Sequence, residues 1–88
     1  EYTPKKRHQL EEIDSGVFLM DARVPISEAS EVLGVPLSDR EAHTVGGLVT
    51  ARLRRIPQVG DNVEESGLLF IVEKASDRSA LLIRIRPA

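Results

Sequence analysis

Residues 44–61, TVGGLVTARLRRIPQVGD, decide how this sequence is interpreted. The stretch begins with Thr44, a good helix-capping residue, and continues with the glycine pair Gly46 and Gly47. Apolar residues then recur at the spacing of a helix that buries one face, until Pro57 ends that helix. A turn-forming segment with glycine and aspartate follows and leads into a strand. The combination of glycine pair, helix and turn is the most specific feature of the chain.

Turn signals and apolar spacing divide the rest of the chain into short elements. A first helix is predicted with Ser27 as its N-cap and Gly34 as its C-terminal glycine. Residues with the spacing of strands lie at 10–13, 17–22, 62–65, 68–75 and 80–86. The order ββααβββ predicts an α+β fold, a small antiparallel sheet of about five strands with two helices packed on one face.

Composition and charge exclude several classes of protein. The 88 residues carry a formal net charge of −2, whereas nucleic-acid-binding domains usually show a strongly basic face. Cysteine is absent, so disulfides and thiolate metal sites are excluded. The longest apolar run, residues 68–72, is far shorter than the roughly 20 residues of a membrane-spanning helix. The polar segment 1–8, with the basic cluster Lys5-Lys6-Arg7, is interpreted as a linker.

The glycine pair has two interpretations. Exposed N–H groups at a helix N-terminus attract phosphate, which makes Thr44, Gly46 and Gly47 a candidate anion or dinucleotide site. Alternatively, the first helical turn packs so closely on a strand that a Cβ atom would clash, and we favour this interpretation because no longer phosphate-binding motif is present. The cluster Arg52, Arg54 and Arg55 at the end of the same helix could bind a phosphate or carboxylate partner, but we favour a solvated helix end.

No residue set in the sequence predicts a reaction. The histidines, His8 and His43, lack the ligand spacing of a metal site, and none of the serines lies in a nucleophile elbow. Asp39, Glu41 and His43 alternate as a weak cation site would, but a polar loop before a helix explains them better. We therefore predict a domain that is not an enzyme.

The pattern TVGGLVTARLRRIP…GD resembles the CorC/HlyC transporter-associated domain, the small C-terminal domain of hemolysin-like and magnesium/cobalt-efflux membrane proteins. Upstream, FLMDARVPISEASEVLGV is similar to the strand, turn and first helix of the family, and NVEESGLLFIVEKASDRSALLIRIRP is similar to its terminal hairpins. Two positions differ, because family members often carry glycine where Ala22 and Arg54 stand.

The resemblance implies a context for the chain. Residues 1–8 would link a pair of nucleotide-binding CBS domains to a transporter-associated domain at 9–88. The fold would be similar to a subdomain of FAD-binding proteins, which makes FAD or an adenine nucleotide a possible ligand. The implied location is cytoplasmic, beside an inner or plasma membrane, with the CBS and membrane domains of the same polypeptide as partners.

Three functional hypotheses remain. The first is a non-catalytic regulatory module that docks on the CBS pair or on its own copy through an outer sheet face with Leu82, Arg84 and Arg86. In that hypothesis, the terminal strand is an edge strand or a dimer surface. The second is a flavin- or adenine-dinucleotide-binding module at the glycine pair. The third is an accessory domain of a redox enzyme.

Overall fold

The computed structural model describes residues 9–88 as one antiparallel sheet with two helices. The linker predicted at 1–8 lies outside the described residues. The elements are β1 (Leu10–Asp14), β2 (Val17–Asp21), α1 (Ile26–Leu33), α2 (Val45–Leu53), β3 (Asn62–Glu65), β4 (Leu68–Ala75) and β5 (Ala80–Pro87). The order ββααβββ and the α+β class are therefore confirmed.

The C-terminal strand occupies the centre of the sheet. The strand order is β1-β2-β5-β4-β3, and all neighbours are antiparallel. Ile85 pairs with Phe18 of β2 on one side and with Phe70 of β4 on the other. The prediction of an edge position for this strand is therefore wrong, because both of its hydrogen-bonding sides are occupied.

Both helices contribute to a single core on one face of the sheet. From the sheet, Met20, Phe70, Ile83 and Ile85 are fully buried, and α2 covers them with its own buried side chains, Val45, Leu48 and Val49. Helix α1 adds Ile26 and Ala29 to the same cluster. The opposite face of the sheet has no helix on it among the described elements, and it is called the open face below.

Two local features differ from the sequence-based expectation. Helix α1 begins at Ile26 with Pro25 as its N-cap, and no side chain caps it, so the assignment of Ser27 is wrong. The helix therefore begins two residues earlier than an N-cap at Ser27 would place it, and a long-range bond from the Ile26 amide to the carbonyl of His43 holds this start. In β5, irregular pairing with β4 leaves Leu81 at 48% exposure and buries Leu82 to 9%, which reverses the expected alternation there.

Candidate functional site

The N-terminus of α2 is held by backbone bonds within the protein. Thr44 caps the helix as predicted, since its hydroxyl accepts the Gly47 amide at 3.1 Å. The other amides of the first turn also have protein acceptors: Val45 donates to Val24 at 2.9 Å, Gly46 to Ala22 at 2.8 Å and Leu48 to Thr44 at 2.9 Å. An anion bound at this end of the helix would compete with these carbonyl and hydroxyl oxygens for the amide hydrogens.

Gly46 lies in tight contact with the residue that follows β2. A Cβ atom at position 46 would stand 2.7 Å from the Cβ of Ala22 and 3.1 Å from its carbonyl oxygen. A Cβ at Gly47 would be less crowded, at 3.2 Å from both the Cβ of Ala42 and the Thr44 hydroxyl. Close packing therefore accounts for the glycine at position 46.

A cleft of about 530 Å³ opens beside the glycine pair. All three predicted ligand residues, Thr44, Gly46 and Gly47, line it. Small side chains form much of the wall and charged ones stand among them; the remaining lining residues are Ala22, Arg23, Asp39, Glu41, Ala42, Thr50, Ala51, Ser79 and Ala80. The three residues thus share one concave surface, and their role in binding a ligand stays a prediction.

The arginines at the end of α2 bind protein carboxylates. Arg52 donates to Asp39 at 2.8 Å and to Glu65 at 2.9 Å, and it also reaches the carbonyl of Ser38 at 3.2 Å. Arg55 forms a two-bond pair with Asp61, at 2.7 and 2.8 Å. Both side chains remain exposed, as the interpretation of a solvated helix end expected, and both bind carboxylates at the surface. Sequence reasoning missed the pairing because 13 residues separate Arg52 from each carboxylate.

Asp39 is the acceptor at the centre of this network. Its carboxylate accepts the Ala42 amide at 2.8 Å, the Arg52 guanidinium at 2.8 Å and the Glu41 amide at 3.0 Å. These bonds, the Ala42 amide first, lower the pKa of Asp39 to about 2. The carboxylate therefore orders the loop before α2, as the polar-loop interpretation expected. Within residues 9–88, no three His, Asp or Glu side chains come together as metal ligands would.

The open face is the second candidate surface, and the register of the sheet defines its composition. Arg84 stands between Leu19 of β2 and Ile71 of β4, and Arg86 stands beside Leu69 of β4. Leu82 pairs with Asp21 of β2 and with Lys74 of β4, where the register of β4 is irregular. The structure thus brings Arg84 and Arg86 together on the open face, whereas Leu82 is buried to 9% and is not part of its exposed surface.

Arg84 is the half-buried centre of this face. Its Nη2 donates to Glu73 at 2.6 Å, while its Nε is buried without a hydrogen-bond partner. A groove of about 490 Å³ runs over it, lined by Ile13, Asp14, Val17, Ile71, Glu73, Arg84 and Arg86. Buried polar groups in proteins are nearly always hydrogen-bonded. Among the described residues, this N–H at the centre of the open face is the buried side-chain donor without an acceptor.

The CorC_HlyC family profile, described as the transporter associated domain, matches residues 11–88. The chain belongs to this family. The resemblance on the glycine pair, the helix and the turn is confirmed, and so is the fold class that follows from it. The likeness to a subdomain of FAD-binding proteins stays a prediction.

Named relatives of this transporter-associated domain are considerably longer. Hemolysin C of Brachyspira hyodysenteriae is 38% identical over 74 residues, which cover 82% of this chain and 27% of that protein. The magnesium and cobalt efflux protein CorC of Buchnera aphidicola (from Acyrthosiphon pisum) is 27% identical over 85 residues, or 97% of this chain and 29% of that protein. The chain therefore spans less than a third of the length of these relatives.

Solved structures of the family share the fold. The transporter associated domain from Nitrosomonas europaea is similar with a TM-score of 0.85 and 25% identity, covering 94% of this chain and all of that one. The domain of a Xylella fastidiosa hemolysin, solved in complex with Mg²⁺ and Mn²⁺, has a TM-score of 0.80 and 25% identity over 90% of this chain and 96% of that one. In the described part of this chain, neither helix has the length and apolar character needed to cross a membrane.

Proposed function

We propose that this transporter-associated domain is a non-catalytic regulatory and interaction module at the C-terminus of a hemolysin-like or CorC-like membrane transporter. The family match over residues 11–88 carries the proposal. The relative named as a magnesium and cobalt efflux protein suggests divalent metal ions as the transported species. A position on the cytoplasmic side of the membrane, next to CBS domains of the same polypeptide, is part of the proposal.

The charged side chains of the described residues support a structural rather than a catalytic role. Arg52 and Arg55 hold loops through Asp39, Glu65 and Asp61. Reactive groups of an enzyme need to face substrate with donors or acceptors available. These carboxylates and guanidinium groups instead bind each other and the backbone.

The open face supplies the surface for docking. When helices cover a single side of a sheet, the side chains on its other side are available to contact a partner. Arg84, Arg86 and the apolar residues around them would contact the CBS pair, the membrane domain or a second copy of this domain. Docking regulates transport only if this face binds one transporter conformation more tightly than another, and a tenfold difference in affinity corresponds to about 1.4 kcal/mol.

The test is a deletion in a full-length transporter that carries this domain. Removing residues 9–88 should change the rate of divalent-cation efflux from loaded vesicles and its dependence on adenine nucleotides. A matched transporter with the domain present but with R84E and R86E on the open face should show the same direction of change. Transport that is unaltered by the deletion would contradict the proposed function.

A second candidate function is binding of flavin or adenine dinucleotide beside Thr44, Gly46 and Gly47. The cleft of about 530 Å³ along these residues favours it. Titration calorimetry with FAD, ATP and AMP tests this candidate directly. Heat that disappears in a Thr44→Val variant, which keeps the volume of the side chain, would support it, and absence of heat at millimolar ligand would remove it.

A further inference from the structure

The open face has an ordered charge pattern that follows the strand order. The central strand β5 carries Arg84 and Arg86, and its neighbours β2 and β4 carry apolar residues paired with them, together with Glu73 of β4, which binds Arg84. The outermost strands are acidic, with Glu11 on β1 next to Leu19 and Glu64 on β3 next to Leu69. The row through Arg84 therefore runs from acidic Glu11 over Leu19, Arg84 and Ile71 to Asn62, and the row through Arg86 runs over Leu69 to acidic Glu64.

From this pattern we propose that the open face binds an amphipathic protein helix whose apolar side carries one or more carboxylates along its centre. The inference rests on the proposed docking role of this face and names the chemistry of the docked segment. The carboxylates of that helix would lie over Arg84 and Arg86, and its apolar side chains would lie over Val17, Leu19, Leu69 and Ile71.

Arg84 is the residue at the centre of the open face through which such a partner would bind. A guanidinium group has five N–H donors, and in Arg84 only the bond from Nη2 to Glu73 is made within the described residues. A carboxylate can accept two parallel N–H bonds from one guanidinium group, which a neutral acceptor does less well. The Nε of Arg84 is buried, so a second acid next to the Glu73–Arg84 pair would accept from the Nη groups of the guanidinium, which the 41% exposed side chain leaves accessible.

The dimensions of the face fit a helix. Adjacent strands lie about 4.8 Å apart, so the apolar rows on β2 and β4 are separated by about 10 Å. A helix with its side chains is about 10–12 Å wide, so one helix laid along β5 would contact both rows. The acidic residues of β1 and β3 would then border the helix and favour neutral or basic side chains on its flanks.

The same pattern disfavours a second copy of this chain as the occupant. A two-fold axis through the centre of the open face would bring Arg84 and Arg86 of one copy against the same residues of the other. Facing like charges at the centre of an interface is unfavourable, and charge patterns of this kind select against such a pairing. An acidic segment meets the central arginines without this conflict.

The test uses the 88-residue chain and two designed helical peptides as probes. Both peptides share a leucine stripe, and one carries glutamate along the centre of that stripe while the other carries lysine. We expect the glutamate peptide to bind at least about tenfold more tightly by fluorescence anisotropy at low salt. Amide shifts in NMR spectra should change for β2, β4 and β5 and not for α1 and α2.

Charge reversal gives the sharper measurement. R84E should remove binding of the glutamate peptide and strengthen binding of the lysine peptide, and the exposed residue Arg86 provides a second variant, R86E, whose folding should be undisturbed. R78E, on the β4–β5 turn away from the face, is the matched control and should bind as the original chain does. Equal affinity for the two peptides, or an unchanged preference in both R84E and R86E, would overturn the proposal.

Other occupants give distinct results. A concentration-dependent dimer in sedimentation that R84E and R86E abolish would replace the acidic helix with a second copy. Binding to phosphatidylserine vesicles that the same variants abolish would replace it with a lipid surface. If neither peptide binds but R84E and R86E still alter efflux in the full-length transporter, the partner chemistry is wrong while the regulatory function stands.

Discussion

At the scale of single residues, the contact between Gly46 and Ala22 leaves the least room for a side chain at the start of α2. An alanine at 46 would place its Cβ 2.7 Å from the Cβ of Ala22, so the helix or the chain after β2 must shift. Overpacking of this kind costs about 1–3 kcal/mol, against roughly 1 kcal/mol gained from helix propensity. We expect G46A to lower the midpoint of urea unfolding.

A double-mutant cycle tests whether the contact with Ala22 causes the loss of stability in G46A, rather than a side chain at position 46 as such. A22G removes the Cβ that a new side chain at position 46 would meet, so G46A should cost less in the A22G background than alone. G47A is the control in the same turn, and it should cost less than G46A because its nearest contacts are 3.2 Å away. Additive effects of G46A and A22G would contradict the account of close packing.

Arg54 is a second residue with a local conformational cost. It ends α2 with φ of 61°, in the left-handed region, where a residue with a Cβ is strained and glycine is not. We expect R54G to raise the free energy of unfolding by about 1 kcal/mol in chemical denaturation. R54A keeps the Cβ and should give no such gain, so equal stabilisation by the two variants would show that removal of the charge is the cause.

At the scale of elements, the segment between the helices depends on ionised Asp39. The pKa of this group is about 2 in the folded protein against an ordinary value of 3.8, so the folded state holds the proton less tightly than the unfolded state. The stability that this group contributes is therefore complete above about pH 4 and is lost as pH falls from 3.8 towards 2. Asp61, whose pKa the Arg55 guanidinium also lowers, contributes in the same direction.

We expect thermal unfolding scans between pH 2 and pH 7 to show this loss of stability at low pH, and we expect D39N to make the melting temperature depend less on pH. D39N removes the titrating group and part of the loop network, so its melting temperature should fall most at neutral pH and differ least from the original at pH 2. D77N, on the β4–β5 turn, is the matched control for an aspartate outside the network. A D39N profile parallel to that of the original chain would show that Asp39 does not cause the pH dependence.

The elements themselves were predictable where the signal is local. Alternating apolar residues and turn residues located every strand, and Thr44 and Gly34 marked helix ends through their own backbone and hydroxyl geometry. The start of α1 was not predictable, because the carbonyl of His43 takes the Ile26 amide from 17 positions away in sequence. The irregular pairing that covers Leu82 and exposes Leu81 likewise depends on the partner strand.

At the scale of the whole molecule, the strand order was the largest unknown. Hydrophobic alternation shows that β5 has two different faces, but it does not show which strands flank it. Only the pairing with β2 and β4 places Arg84 and Arg86 at the centre of the open face and the acidic residues at its edges. The sequence therefore identified Arg84 and Arg86, and the topology supplied their position and the residues around them.

The two sides of the sheet should respond differently to loss of the same side chain. Ile83 is fully buried under the helices, whereas Ile71 is half-buried on the open face, next in β4 to Val72, the residue that pairs with Ile83. I83A should cost about 2–4 kcal/mol in urea unfolding, because it removes buried methyl groups and leaves a cavity, while I71A should cost about 1 kcal/mol or less.

This pair of variants also reports on whether the open face is covered in the isolated chain. If I71A costs as much as I83A, something buries Ile71 in solution, and self-association through the open face becomes the first explanation to measure by sedimentation. In the other outcome, I71A changes the free energy of unfolding of the isolated chain little and still impairs efflux in the full-length transporter. In that case the Ile71 side chain stabilises docking rather than the fold. The difference between the two contexts therefore measures how much of the open face belongs to an interface.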